Sequence, residues 1–125
     1  VITQKNSYAF TPQPTPFGLT LPIDLYKTEM NVIVLNKQHV FITIPGELSC
    51  LYDKRLKEIG KTLGFGHVSI LGLTNDAHGY MILPESWQHK TAESALSFGG
   101  EQYGEIIEKR AENLLRDMAK KHLSL

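Results

Sequence analysis

This chain of 125 residues lacks most of what marks a specialised class of protein. Its single cysteine, Cys50, excludes a disulfide within the chain and leaves the redox compartment open. It has no excess charge of either sign, because 13 Lys and Arg balance 13 Asp and Glu. That balance removes the electrostatic footprint expected of a nucleic-acid binder or of a protein held at an anionic membrane. A basic stretch from Arg116 to His122 closes a helical pattern, where cations are favoured in any case. No apolar run approaches the roughly 20 residues of a membrane-spanning helix, so no transmembrane segment is expected. The five histidines show neither HExxH nor paired His/Cys zinc spacing. Ser49 and Ser69 lie in no GxSxG context, and the glycines at 64–66 and 99–104 lack the Lys-Ser/Thr ending of a phosphate loop. The chain opens Val1-Ile2-Thr3-Gln4, without an initiating Met, as expected of a fragment or a processed chain.

What is present is the composition of an ordinary folded protein, 42% hydrophobic and 21% charged, enough for one domain or a piece of one. Four of the six prolines, Pro12, Pro14, Pro16 and Pro22, fall near the N-terminus, where they deny a helix and favour extended backbone. Residues 1–30 are therefore expected to form an extended, proline-rich arm, with Tyr8, Phe10, Phe17 and Leu19 available to pack on another surface. Residues 31–125 read as an α/β segment. Val32-Ile33-Val34-Leu35 and Val40-Phe41-Ile42-Thr43-Ile44 are β-branched and aromatic runs separated by Asn36-Lys37-Gln38-His39. They predict a hairpin, although its turn lacks glycine. Pro45-Gly46 ends the second strand.

A helix is expected over 48–63, with Leu48, Tyr52, Leu56, Ile59 and Leu63 on one face. Residues 67–74 read as a third, buried strand that needs cover on both faces. A short helix should start near Pro84, where proline suits the first turn. After Gly99-Gly100, a long helix over 101–122 should turn Ile106, Ile107, Ala111, Leu114, Leu115 and Met118 inward. The expected fold is thus α/β: a small mixed sheet, made of a hairpin and a buried strand, with two amphipathic helices. A larger sheet from further polypeptide would best supply the cover that strand requires.

Two side chains stand where apolar runs stop, Glu47 after Pro45-Gly46 and Tyr80 after the loop that follows Thr74. Glu47 reads either as a metal ligand or general base, or as a carboxylate favoured at a helix N-terminus. Tyr80 reads either as a phenol donor or as a packing aromatic. His78 is a ligand by residue type, or a loop histidine in contact with water. Asp76 most simply stabilises the turn after Asn75. Cys50 lies where a thiolate would gain from the helix dipole, but with no partner base it reads as a small buried filler.

Taken in order, these segments resemble the late part of the catalytic domain of the neutral/alkaline (non-lysosomal) ceramidase family. The shared features are the hairpin into Pro45-Gly46-Glu47 and a helix with a basic middle at Lys54-Arg55-Leu56. Gly72-Leu73-Thr74-Asn75 with Tyr80 follows, then the acidic-aromatic Pro84-Glu85-Ser86-Trp87 and a terminal helix, over roughly residues 30–120. The resemblance implies a zinc-dependent amidohydrolase that cleaves the N-acyl amide of ceramide or a related lipid amide. In that family zinc is held by two His, a Glu and a Tyr. Glu47 and Tyr80 match the last two and so carry the implied catalytic and metal roles. The matching His lie upstream of this segment, in the earlier part of the same domain or a partner chain, and none of the five His here takes their place. A further substrate-contacting Tyr of the family falls, by ungapped alignment, on Ala92. The other reading open to the sequence is a non-enzymatic α/β binding module, or an inactive fragment that associates with a partner chain. In that reading Glu47 and Tyr80 would lie apart or in ordinary packing.

Overall fold

The computed structural model describes residues 1–123 and arranges them as a four-stranded sheet, a separate two-stranded ladder and helices on one side. Strand β1 (Ile2–Phe10) pairs antiparallel with β2 (Tyr26–Leu35), placing Ile2 opposite Val34 and Phe10 opposite Tyr26. Much of residues 1–30 is sheet: β1 is an edge strand, and the proline segment, which turns at Thr15–Gly18, is the connection that brings the chain back to β2. Arg110 ties β1 down from the helical side, its guanidinium 4.7 Å from the Tyr8 ring centre and bonded to Asn6 Oδ1 at 3.0 Å.

The β2–β3 hairpin forms as expected, with β3 at His39–Thr43. Its turn manages without glycine because Asn36 and Lys37 both adopt positive φ, 53° and 57°, and the Gln38 N–H closes on the Leu35 carbonyl at 3.0 Å. Asn tolerates that region well, whereas Lys gives up roughly 1–2 kcal/mol there. Next come β4 (Glu47–Leu48), α1 (Cys50–Thr62) and β5 (His67–Leu71), which returns parallel to β3 with Val40 opposite Val68. A long connection with a helix is what two adjacent parallel strands demand. The chain continues through β6 (Tyr80–Met81), α2 (Pro84–Gln88), a 3-10 turn (Ala92–Leu96) and α3 (Tyr103–His122). Sheet order is β1-β2-β3-β5, and β4 pairs in parallel with β6. The sheet is mixed and the class is α/β.

The core lies between one face of the sheet and helices α1 and α3. Met30, Val32, Val34, Val40 and Ile42 meet Leu56 from α1 and Ile107, Ala111, Leu114, Leu115 and Met118 from α3. Each fully buried Leu, Ile or Met contributes about 1.5–3 kcal/mol relative to exposure. A bidentate Arg55–Glu108 pair, 2.7 and 2.9 Å, joins the two helices at their surface.

Three expectations are corrected. The strand read as buried over 67–74 ends at Leu71 and, among the described residues, pairs on one side only; Val68 is buried, but His67, Leu71 and Leu73 are exposed. Its apolar run serves one covered face, and the sheet's other face has no helix on it among the described residues. Ile106 points outward, 47% exposed, because the helical period that buries Ile107, Ala111, Leu114 and Met118 turns its neighbour to solvent. Leu48 belongs to β4 rather than to α1. The last two residues of the 31–125 segment lie outside the described residues.

Candidate active site

Glu47 and Tyr80 lie directly opposite each other in the parallel β4–β6 ladder. Backbone bonds zip the two sequence-distant loops together. The Glu47 N–H binds the Gly79 carbonyl at 2.9 Å, and the Ser49 N–H binds Met81 at 2.9 Å. The Leu73 and His78 N–H groups bind the Gly46 and Pro45 carbonyls, each at 3.1 Å. The approach is so close that a Cβ on Gly46 would stand 2.5 Å from the Gly79 carbonyl oxygen. Gly79 itself has φ of +101°, and a Cβ there would lie 2.1 Å from the Leu96 carbonyl oxygen. Glycine at 46 is therefore what lets the Pro45-Gly46-Glu47 turn meet the segment leading to Tyr80, and glycine at 79 lets that segment pass close to the Leu96 backbone.

The Glu47 carboxylate, an acceptor beside the Tyr80 hydroxyl, raises the phenol above its ordinary range. The two groups open onto a groove of about 470 Å³ lined also by Ser49, Cys50, Thr91 and Glu93. Cys50 is exposed here rather than buried, since the first turn of α1 faces the groove and not the core. Ala92 is exposed at the start of the 3-10 turn, between the groove-lining Thr91 and Glu93. No group of three or more His, Cys, Asp or Glu capable of holding a metal occurs among the described residues.

His78 does not join this pair. It is 5% exposed, packed among Phe10, Tyr26 and Tyr103 with ring centres 4.9–5.7 Å away, so a water-exposed loop histidine is not what the fold contains. Burial lowers its pKa, partly offset by the Asp76 carboxylate. Asp76 stabilises its turn as expected, accepting the Ala77 N–H at 2.9 Å, and it also accepts the Tyr26 hydroxyl at 2.5 Å. Tyr103 hydroxyl lies 2.9 Å from that of Tyr8 and 3.3 Å from His78 Nδ1. This aromatic and polar cluster backs the loop that carries Tyr80. Its members come from β1, β2, the loop and α3, and no local sequence signal joins partners as far apart as Tyr8 and Tyr103.

With this geometry in view, the fold has clear likenesses among solved structures. A mixed α/β segment of the same build occurs in the neutral ceramidase from Pseudomonas aeruginosa, with a TM-score of 0.68 and 12% identity over 76% of this chain and 16% of that one. A ceramidase complexed with C2 matches with a TM-score of 0.57 and 15% identity, over 74% of this chain and 14% of that chain. This chain thus spans about a sixth or less of the length of those proteins and shares the fold of that part of them. No protein-family model and no curated protein sequence matches the chain.

Proposed function

We propose that this chain forms part of a zinc-dependent amidohydrolase similar to neutral ceramidase, acting on the N-acyl amide of a lipid. The observation that carries the reading is the juxtaposition of Glu47 and Tyr80 at neighbouring parallel strand ends, within a segment folded like part of a ceramidase. Their chemistry fits a zinc site: a carboxylate and a phenol are both oxygen donors, they sit opposite each other in one ladder, and they face an accessible groove. Two donors fall short of the three protein ligands typical of catalytic zinc, so the remaining ligands come from an upstream part of the same domain or from a partner chain. Zinc bound there would lower the pKa of a water and polarise an amide carbonyl.

The chain's own residues have separable tasks in this reading. Glu47 and Tyr80 hold the metal; the Gly79 and Met81 carbonyls fix their strands; Thr91 and Glu93 form the groove wall beside Ala92. With alanine where the resemblance expects a tyrosine, the wall is less bulky there, and the substrate is a lipid amide related to ceramide. No helix among the described residues is long and apolar enough to cross a membrane.

Native mass spectrometry of protein purified under non-denaturing conditions tests the reading. Zinc bound in a complex larger than this chain, with one equivalent lost in both Glu47→Gln and Tyr80→Phe, supports it. An unchanged zinc count in both variants of such a complex refutes the assignment of these residues, and a lone chain favours the binding-module alternative.

A further inference from the structure

The sheet face that no helix covers holds a feature with no part in the groove chemistry. His39 and His67 occupy directly opposed positions in the parallel β3–β5 pair. Their sequence neighbours Val40 and Val68 are buried, so strand alternation sends both imidazoles to the open face. The ring centres are 5.5 Å apart. We propose that these two histidines form a chelate for a borderline divalent transition cation such as Zn²⁺ or Ni²⁺.

The distance supports this without any movement of the backbone. A Zn–N bond of about 2.0–2.1 Å added to an imidazole radius of roughly 1.1 Å places each ring centre about 3.2 Å from the metal. Two such rings at a tetrahedral angle stand roughly 5.2 Å apart, close to the separation observed here. The His39 ring is already fixed: it stacks on Phe41 with centres 4.4 Å apart and planes 8° from parallel. Its Nε2 lies 2.8 Å from Ser69 Oγ. When Nε2–H donates to that hydroxyl, Nδ1 keeps its lone pair for a metal, the same division of labour by which metal-binding histidines are oriented elsewhere. His67 is exposed, so water completes the coordination.

Imidazole donors suit zinc, copper and nickel, whereas magnesium and calcium seek carboxylate and carbonyl oxygen. The site is separate from Glu47 and Tyr80. His39 and His67 begin their strands, Glu47 lies beyond the far end of β3, and the run from His39 to Thr43 alone spans about 13 Å.

The test is calorimetric titration of the full chain with ZnCl₂ and with NiCl₂, alongside His39→Gln and His67→Gln. One equivalent should bind, and each substitution should weaken it at least tenfold. Glu47→Gln/Tyr80→Phe should bind as the unaltered chain does, which keeps the outcome independent of the proposed catalytic reading. In parallel, imidazole ¹⁵N–¹H spectra of the unaltered chain should show the His39 and His67 signals shifting together as Zn²⁺ is added. This second readout holds even where a variant fails to fold. Undiminished affinity in a folded single variant, absence of binding, or shifts confined to His78, His89 or His122 would each overturn the proposal.

Discussion

Replacing Gly79 by alanine should be among the most damaging single-methyl additions available to this chain. The residue has φ of +101°, a conformation that a side chain rarely adopts, and holding one there costs of the order of 1–3 kcal/mol. The new Cβ would also lie 2.1 Å from the Leu96 carbonyl oxygen, where ordinary contact begins at 3.4 Å, so one backbone must retreat by about 1.3 Å. That retreat threatens the Glu47 N–H bond to the Gly79 carbonyl and the Gly79–Ser97 bridge, each worth about 0.5–1.5 kcal/mol. The expected loss is about 3–5 kcal/mol, within the range reserved for strained or disrupted sites. Gly18 provides the control: its φ is +78°, but nothing lies within 4 Å of a Cβ built there, so Gly18→Ala should lose only about 1 kcal/mol for its backbone conformation. Urea unfolding of both variants, analysed at constant slope, reads the difference directly. If Gly79→Ala proves no less stable than Gly18→Ala, the close approach of the Gly79 and Leu96 backbones is not what constrains this position.

Every one of the five tyrosines is raised above its ordinary range, so native protein at pH 10 should show little phenolate absorbance, and the full signal should appear on adding denaturant. Burial is the main cause for Tyr8, Tyr26 and Tyr52, each pushed up to about 12, and for Tyr103, while Glu47 is the main cause for Tyr80. Because the folded values lie above the unfolded one, this contribution to stability is complete below pH 10 and is lost as pH rises from 10 through 12; unfolding midpoints measured across that interval should fall steadily. Leu115→Ala removes a fully buried side chain between α3 and the sheet and should cost about 2–5 kcal/mol in chemical denaturation. By contrast, a double-mutant cycle on Arg55 and Glu108 should return less than about 1 kcal/mol, because the pair is partly exposed despite its bidentate geometry.

The elements legible in the sequence were those whose signal is local. Alternating β-branched residues marked β2 and β3; helical spacing of Tyr52 and Leu56, and of Ile107, Ala111, Leu114 and Met118, marked the faces of α1 and α3; Pro84 marked the start of α2. Glu47 and Tyr80 could be singled out because each ends an apolar run, where a polar side chain is conspicuous. Their meeting could not be read from those runs, since it depends on the parallel register of two two-residue strands and on glycine at 46.

Long-range pairing decided the rest. An apolar strand such as 67–71 has the same composition whether one or both of its faces are covered, and only the sheet order made β5 an edge. The N-terminal arm carried no mark of its partner, because its register with β2 is fixed by contacts across the whole proline connection. His78 looked like a water-exposed loop residue until Phe10, Tyr26 and Tyr103 closed around it from three separate elements. His39 and His67 matched no ligand spacing for the same reason. Sequence pattern reports which face a residue takes within its own element, whereas the neighbour it meets is set by how the elements pack.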